Sequence, residues 1–259
     1  MGILGFEFLS KKHVLFTSQI LRYLQQNKSL PRGSSLQQLE PDVLPSYTIS
    51  PQAHYLNKAY KKLLLQITYM DSTILQKIKE LELERTSWNV TEENMNIMLN
   101  YCRQNDLHRL LEIGSFNGYS ALNFALICEE VISLEIEEKR FMEATNNCQI
   151  AKNIKIILAD ANEYMKQLIT KKELFDAILI DGNNSQYSNY LTLAIPLIKD
   201  TGMIFIDNTV SHKDRLEKKG FFETLQKSNL SFKELNTTKG LIVAFKTRKF
   251  YAAQNSSKN

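Results

Sequence analysis

Glu112-Ile113-Gly114-Ser115-Phe116-Asn117-Gly118-Tyr119-Ser120 decides how this chain folds. The apolar Leu110-Leu111 before it reads as a short buried strand, and Ala121-Leu122-Asn123-Phe124-Ala125-Leu126 after it reads as a helix. A strand therefore ends, the chain turns on two glycines, and a helix begins. Glycine suits both turn positions because it tolerates positive φ and lets a ligand come close to the backbone. The spacing is E-x-G-x-x-x-G, unlike the dinucleotide pattern G-x-G-x-x-G, where three glycines make room for a pyrophosphate. An acid precedes the first glycine, and no lysine follows to hold a phosphate. A carboxylate at the carboxyl end of a strand suits a ligand with a cationic amino-acid group. The plain structural alternative is an ordinary βα turn with a glycine cap.

Outward from this turn, short apolar runs alternate with longer amphipathic ones. Strands are expected at Leu110–Ile113, Val131–Glu135, Ile154–Leu158, Phe175–Asp181 and Met203–Asp207. Helices are expected around Thr91–Asn105, Tyr119–Cys128, Glu138–Ala151, Ala161–Lys171 and Tyr187–Ile198. Strands alternating with helices imply a parallel sheet covered on both faces. A last helix over Lys213–Ser228 and two strands near Phe232–Leu235 and Leu241–Phe245 close the pattern. The tight Thr237-Thr238-Lys239-Gly240 segment joins those two strands, which makes the final pair antiparallel. The expected fold is α/β: a doubly wound, Rossmann-like sheet of seven strands, mostly parallel, with an antiparallel last strand and a helical N-terminal extension before it.

Ligands of open α/β sheets bind beyond the carboxyl ends of the strands. Acids stand there in this sequence: Glu135 after the second strand, Asp160 beside Ala161 after the third, Asp181 after the fourth and Asp207 after the fifth. A carboxylate such as Glu135 can accept from two ribose hydroxyls. Asp160 with Ala161 could meet an adenine edge, helix capping being the plain alternative. S-adenosylmethionine is the commonest ligand that joins a cationic amino-acid group to an adenosine. Asp181, Asp207 and Asn208 should converge, because the fourth and fifth strands are expected to be neighbours. Two carboxylates and an amide suit a hard cation such as magnesium; Asn208 could instead cap the following turn.

Composition bounds the rest. The chain has 259 residues, 43% of them hydrophobic, enough for a full core, and 23% charged, which is ordinary for a globular protein. A net charge of +4 permits an anionic partner without demanding one. Cys102, Cys128 and Cys148 form no C-x-x-C and read as small core residues, which favours a reducing, cytoplasmic setting. No apolar run reaches the ~18 residues needed to span a bilayer. Residues 1–39 hold one acid, Glu7, beside several lysines and arginines, so an organelle-targeting segment is the alternative to a solvated basic extension. Four of the five prolines fall within residues 30–51 and mark a linker or wrapping segment. From Ala53 to Arg85, apolar residues recur at three- and four-residue steps, as in a helix. The chain therefore divides into a basic extension with a Pro-rich linker (1–52), a helical segment packing on or lidding the core (53–85), and the sheet domain (86–259).

Between about Ser87 and Lys246 the chain resembles the class I S-adenosylmethionine methyltransferases, and within them the metal-dependent O-methyltransferases of the catechol and caffeoyl-CoA type. The resemblance rests on Leu111–Ser120, Phe175-Asp176-Ala177-Ile178-Leu179-Ile180-Asp181, Tyr187-Ser188-Asn189-Tyr190 and Asp207-Asn208-Thr209. It implies that Glu112, Gly114, Ser115, Gly118 and Ser120 line the methionine end of the cofactor. Glu135 would hold the ribose, and Asp160 and Ala161 would flank adenine. Val90, in Trp88-Asn89-Val90-Thr91, would cover the cofactor, and Asp181, Asp207 and Asn208 would bind the divalent cation. The implied reaction is methyl transfer to a hydroxyl of a small-molecule, catechol-like acceptor. RNA as acceptor and a catalytically weak cofactor-binding protein are the two alternatives, and the family leans towards a homodimer. One residue departs from the pattern. The family usually carries a lysine, taken as the base, three residues after the first metal-binding aspartate; here that position is Asn184. Asp181 at the metal, or His212 and Lys213 just beyond the fifth strand, are the remaining candidates for proton chemistry.

Overall fold

The computed structural model describes residues 72–246. The expected basic extension, the linker and the first part of the helical segment lie outside the described residues. Residues 72–83 form a helix (α1) that buries Ile74, Ile78 and Leu81, one stripe at four- and three-residue spacing. Its end is tied down by Arg85, whose Nη2 donates to the Tyr119 hydroxyl at 2.6 Å. Tyr119 Oη in turn donates to Glu82 at 3.2 Å.

Helix α2 (Glu92–Gln104) starts where Thr91 accepts from the Asn94 N–H, with Glu92 and Glu93 in its first turn. Side-chain capping and acids near the positive helix end both stabilise such a start. The alternating units follow in order: β1 (Arg109–Ile113), α3 (Tyr119–Ala125), β2 (Glu130–Glu135), α4 (Glu138–Cys148), β3 (Ile154–Leu158), α5 (Ala161–Thr170) and β4 (Phe175–Ile180). Then come α6 (Tyr187–Leu197), β5 (Ile198–Asp207), α7 (Lys213–Lys218), α8 (Phe221–Lys227), β6 (Leu230–Leu235) and β7 (Leu241–Lys246). The strands lie in the order β3-β2-β1-β4-β5-β7-β6. The first five are parallel, and β7 runs antiparallel to both β5 and β6. This is the expected seven-stranded, doubly wound sheet.

Two expectations need correction. The single helix foreseen over Lys213–Ser228 is two helices, broken at Lys219-Gly220, where Gly220 enters the left-handed region. Strand β5 begins at Ile198 rather than Met203: Ile198 pairs with Phe175 of β4, and the residues between fall in a register shift before pairing resumes at Met203 with Ala177.

Every residue of β4 is buried, as suits a strand covered on both faces. Truncating a core side chain such as Ile178 to alanine costs about 2–5 kcal/mol by the usual cavity arithmetic. The register aligns Leu134, Ile113, Ile180 and Ile206 across four neighbouring strands. The next residues are Glu135, Gly114, Asp181 and Asp207, so the chemically useful groups stand in one row at the carboxyl edge. Chain order reverses between β1 and β4, which is where an open α/β sheet leaves a crevice.

Candidate functional site

The crevice between β1 and β4 exists because of Gly114. Its φ is +99°, and a Cβ there would come within 2.5 Å of the Asp181 carbonyl oxygen. Only glycine lets the two strand ends lie this close. The N–H groups of Gly114 and Ser115 both donate to the Leu134 carbonyl, at 2.9 and 3.1 Å, and tie the turn to β2. Phe116 follows with φ +49°, a costly conformation for a bulky residue. It turns its N–H onto Glu135 Oε2 at 2.9 Å. The other oxygen of Glu135 accepts from the N–H groups of Ile136 and Glu137, at 2.9 and 3.0 Å. Three backbone donors thus fix the carboxylate, with acceptor capacity left over.

A cavity of about 620 Å³ opens here. Of the residues expected around the cofactor, Gly114, Ser115, Ser120 and Glu135 line it, as do Val90, Asp160, Ala161 and Asp181. Asp160 also caps α5, accepting from the Asn162 N–H at 2.7 Å, so its plain structural role holds as well. Glu112 and Gly118 stand behind the wall. Gly118 (φ +84°) starts α3, and a Cβ on it would meet Cys148 Sγ at 2.5 Å; its missing side chain makes room for α4, not for the cavity. Glu112 is fully buried: Ser133 donates to its Oε2, and Oε1 has no hydrogen-bond partner. Burial pushes its carboxyl up to about 7, against the pull of the Ser120 and Ser133 hydroxyls.

One side of the cavity is formed by Trp88-Asn89-Val90. Asn89 Nδ2 donates to Asn117 Oδ1 at 2.8 Å, and Lys239 Nζ donates to the carbonyls of Ser87 and Asn89 at 2.6 and 2.9 Å. Trp88 stacks on Phe116, with ring centroids 6.3 Å apart, and Arg140 lies 4.5 Å from the Trp88 centroid.

Asp181, Asp207 and Asn208 do converge. Asn208, itself in the left-handed region, donates from Nδ2 to Asp181 Oδ1 at 2.6 Å and to Asp207 Oδ2 at 3.2 Å. Asp207 is fully buried and also accepts from Asn94 Nδ2. Burial, and then the neighbouring Asp207 charge, hold the Asp181 carboxyl well above the usual range. Burial raises Asp207 to about 6, opposed by its bonds from Asn94 and Asn208 and by the Lys239 charge. Asp181 lines the cavity, whereas Asp207 and Asn208 sit beside it. Among the described residues no three His, Cys, Asp or Glu side chains gather as a metal site.

The structure does not bring His212 or Lys213 to the cavity lining. Lys213 reaches Glu217 at 3.9 Å instead. His212 is held below its usual pKa by burial and by the charges of Arg215 and Lys239. The sequence pattern singles out none of Asn94, Arg215 and Lys239. Arg215 lines the cavity and donates from Nη1 to Asn184 Oδ1 at 3.0 Å.

The sequence profile of the O-methyltransferase family matches residues 66–238. Caffeoyl-CoA O-methyltransferase 1 of Eucalyptus globulus is 31% identical over 108 residues, covering 39% of this chain and 44% of that protein. Tapetum-specific methyltransferase 1 of Arabidopsis thaliana is 28% identical over 107 residues, covering 39% of this chain and 46% of that protein. The chain thus spans less than half the length of either relative. An O-methyltransferase from Bacillus cereus, solved in complex with SAH, superposes with a TM-score of 0.59 at 22% identity, covering 69% of this chain and 91% of that one. The likeness to that structure shows the fold. The family match extends from α1 into the β6–β7 turn, across the whole parallel part of the sheet, and this chain belongs to the O-methyltransferase family.

Proposed function

We propose that this protein transfers a methyl group from S-adenosylmethionine to a hydroxyl of a small-molecule acceptor with vicinal oxygens, a catechol being the simplest, with a divalent cation assisting. The observation that carries the reading is the cavity at the β1–β4 crevice, where the glycine turn, the fixed Glu135 carboxylate and Asp181 meet. Solved relatives of the fold that hold SAH or SAM, and the family to which the chain belongs, support it.

The residues fit the cofactor. Gly114 lets the ends of β1 and β4 lie together at the crevice, and Glu135 retains acceptor capacity for hydroxyls. Glu112, buried directly behind the turn with Oε1 unpartnered, is an acid whose charged form a cationic amino-acid group would favour. S-adenosylmethionine, when bound, supplies a methyl group on a sulfonium centre. Ser115 and Ser120 would offer hydroxyls at its amino-acid end, Asp160 and Ala161 would bound the adenine, and Val90 with Trp88 would cover it.

The donors Asp181, Asp207 and Asn208 fit a hard cation such as magnesium once Asn208 turns its amide oxygen inward. A bound cation supplies Lewis acidity to an acceptor oxygen. Asn94 would steady the Asp207 carboxylate through its amide. Asn184 cannot take a proton at neutral pH, and neither can a guanidinium. Asp181, the carboxylate of the three that lines the cavity, is then the group that would receive the acceptor's proton.

The test is transfer of labelled methyl from S-adenosylmethionine to a panel of catechols, with magnesium and after chelation. Turnover that needs magnesium, and that Asp207→Ala abolishes while cofactor binding persists, is the expected result. Unchanged turnover after rigorous chelation would remove the cation. Transfer to RNA in place of the diols would replace the acceptor class. Cofactor binding without turnover on any acceptor would leave a binding protein.

A further inference from the structure

Asn184 and Arg215 meet at the cavity. Asn184 lies three residues after Asp181, in the short turn before α6, and Arg215 comes from α7, after β5. Both line the cavity with Asp181, and the 3.0 Å bond from Arg215 Nη1 to Asn184 Oδ1 joins the two segments. One N–H of the guanidinium is committed to Asn184. Among the described residues, no carboxylate lies within ion-pair distance of Arg215. Three other arginines lie beside acids: Arg109 pairs with Glu130 and Glu173, Arg140 with Glu137, and Arg85 sits 3.8 Å from Glu82. Lys239 adds to the positive field on this side, since His212 is depressed by both Arg215 and Lys239.

A planar fork of N–H donors held by an amide at a cavity wall matches a carboxylate or a phosphoryl group, which it can bind through two parallel bonds. A lysine at the Asn184 position would offer a point charge that can exchange a proton; the Asn184–Arg215 pair offers a permanent cation that cannot. The pair is therefore built to hold an anion in place.

We infer that the acceptor carries an anionic group, carboxylate or phosphoryl, close to the oxygen that is methylated, and that Arg215, oriented by Asn184, is the residue that selects it. This rests on the methyl-transfer reading for the cavity's being an acceptor site, and it narrows the acceptor from catechol-like compounds to acidic ones. Methyl transfer itself is unchanged by it: the new bond forms between the acceptor oxygen and the methyl carbon, the carbon–sulfur bond breaks, and sulfur keeps the electron pair.

The experiment is a titration of the SAH-loaded protein with three matched probes, followed by ligand-observed NMR. The probes are protocatechuate, its neutral aldehyde, and the corresponding catechol phosphonate. One of the two acids should bind about tenfold more tightly than the aldehyde, the scale of one charge-assisted contact at a partly exposed site. Which acid is preferred tells carboxylate from phosphoryl. Arg215→Met should bring the ratio to about one. Arg215→Lys, which keeps the charge but not the fork, should leave part of it, and Asn184→Ala should lower it less than Arg215→Met. Equal affinity for acid and aldehyde, a ratio untouched by Arg215→Met, or binding of none of the three would overturn the inference. Turnover is scored separately on the same probes. A selective acid site without methyl transfer supports the anion site and counts only against the methyl-transfer reading.

Discussion

Glu112→Gln should make the unliganded protein more stable at alkaline pH. Glu112 is fully buried, and burial moves its pKa from 4.5 up to about 7. A raised acid binds its proton more tightly in the folded state. Stability is therefore fully present below pH 4.5 and is lost as pH rises through the folded value near 7. Integrating between the two values gives a penalty of about 1 kcal/mol at pH 5.5 and about 3 kcal/mol at pH 8. Glutamine removes that penalty and keeps an oxygen for the Ser133 hydroxyl. Its amide nitrogen, placed at the unpartnered Oε1 position, has no acceptor, which costs about 1 kcal/mol. The net expectation is no change at pH 5.5 and a gain of about 2 kcal/mol at pH 8, or roughly 4–8 °C in Tm for a domain of this size. Thermal and urea unfolding of both proteins at the two pH values, without cofactor, would measure it. Parallel pH profiles, or a variant less stable at pH 8, would refute the assignment of a buried, strained carboxyl behind the turn.

Three further outcomes follow from the geometry. Gly118→Ala should destabilise the fold by about 1–3 kcal/mol through its positive φ and its clash with Cys148 Sγ. Adding Cys148→Ala should recover part of that loss in urea unfolding, whereas it would recover none if the clash were elsewhere. Lys239→Met removes the ammonium that holds the Ser87 and Asn89 carbonyls. It should weaken cofactor affinity by about tenfold and shift the emission of Trp88, the chain's single tryptophan. Arg215→Met should leave cofactor affinity within about twofold while changing acceptor preference, as titration with S-adenosylmethionine would check.

The sheet was legible because its central parallel strands are buried on both faces, so Leu110–Ile113 and Phe175–Ile180 appear as apolar runs broken by a single acid each. The first half of β5 was not, because Lys199, Asp200 and Thr201 look like loop and lie in the register shift between the Ile198 and Met203 pairings with β4. The break at Gly220 was not, because a single glycine inside a run of helix-forming residues does not by itself end a helix. At the site, the row of strand-end residues could be read because chain order and register alone bring it together. The spacing of glycines does not say whether a missing side chain makes room for the end of a neighbouring strand, as at Gly114, or for a neighbouring helix, as at Gly118. Asn94, Lys239 and Arg215 reach the site from α2, from the β6–β7 turn and from α7, and no local pattern marks such long-range convergence.

The central claim is that the glycine turn at the β1–β4 crevice holds S-adenosylmethionine. Calorimetric titration of S-adenosylmethionine into the wild-type protein and into Gly114→Ala tests it most directly, since the alanine Cβ would press on the Asp181 backbone. The account predicts saturable one-to-one binding to the wild type and its loss in a Gly114→Ala protein that remains folded by circular dichroism. Absence of binding to the wild type, or equal binding to both, would contradict it.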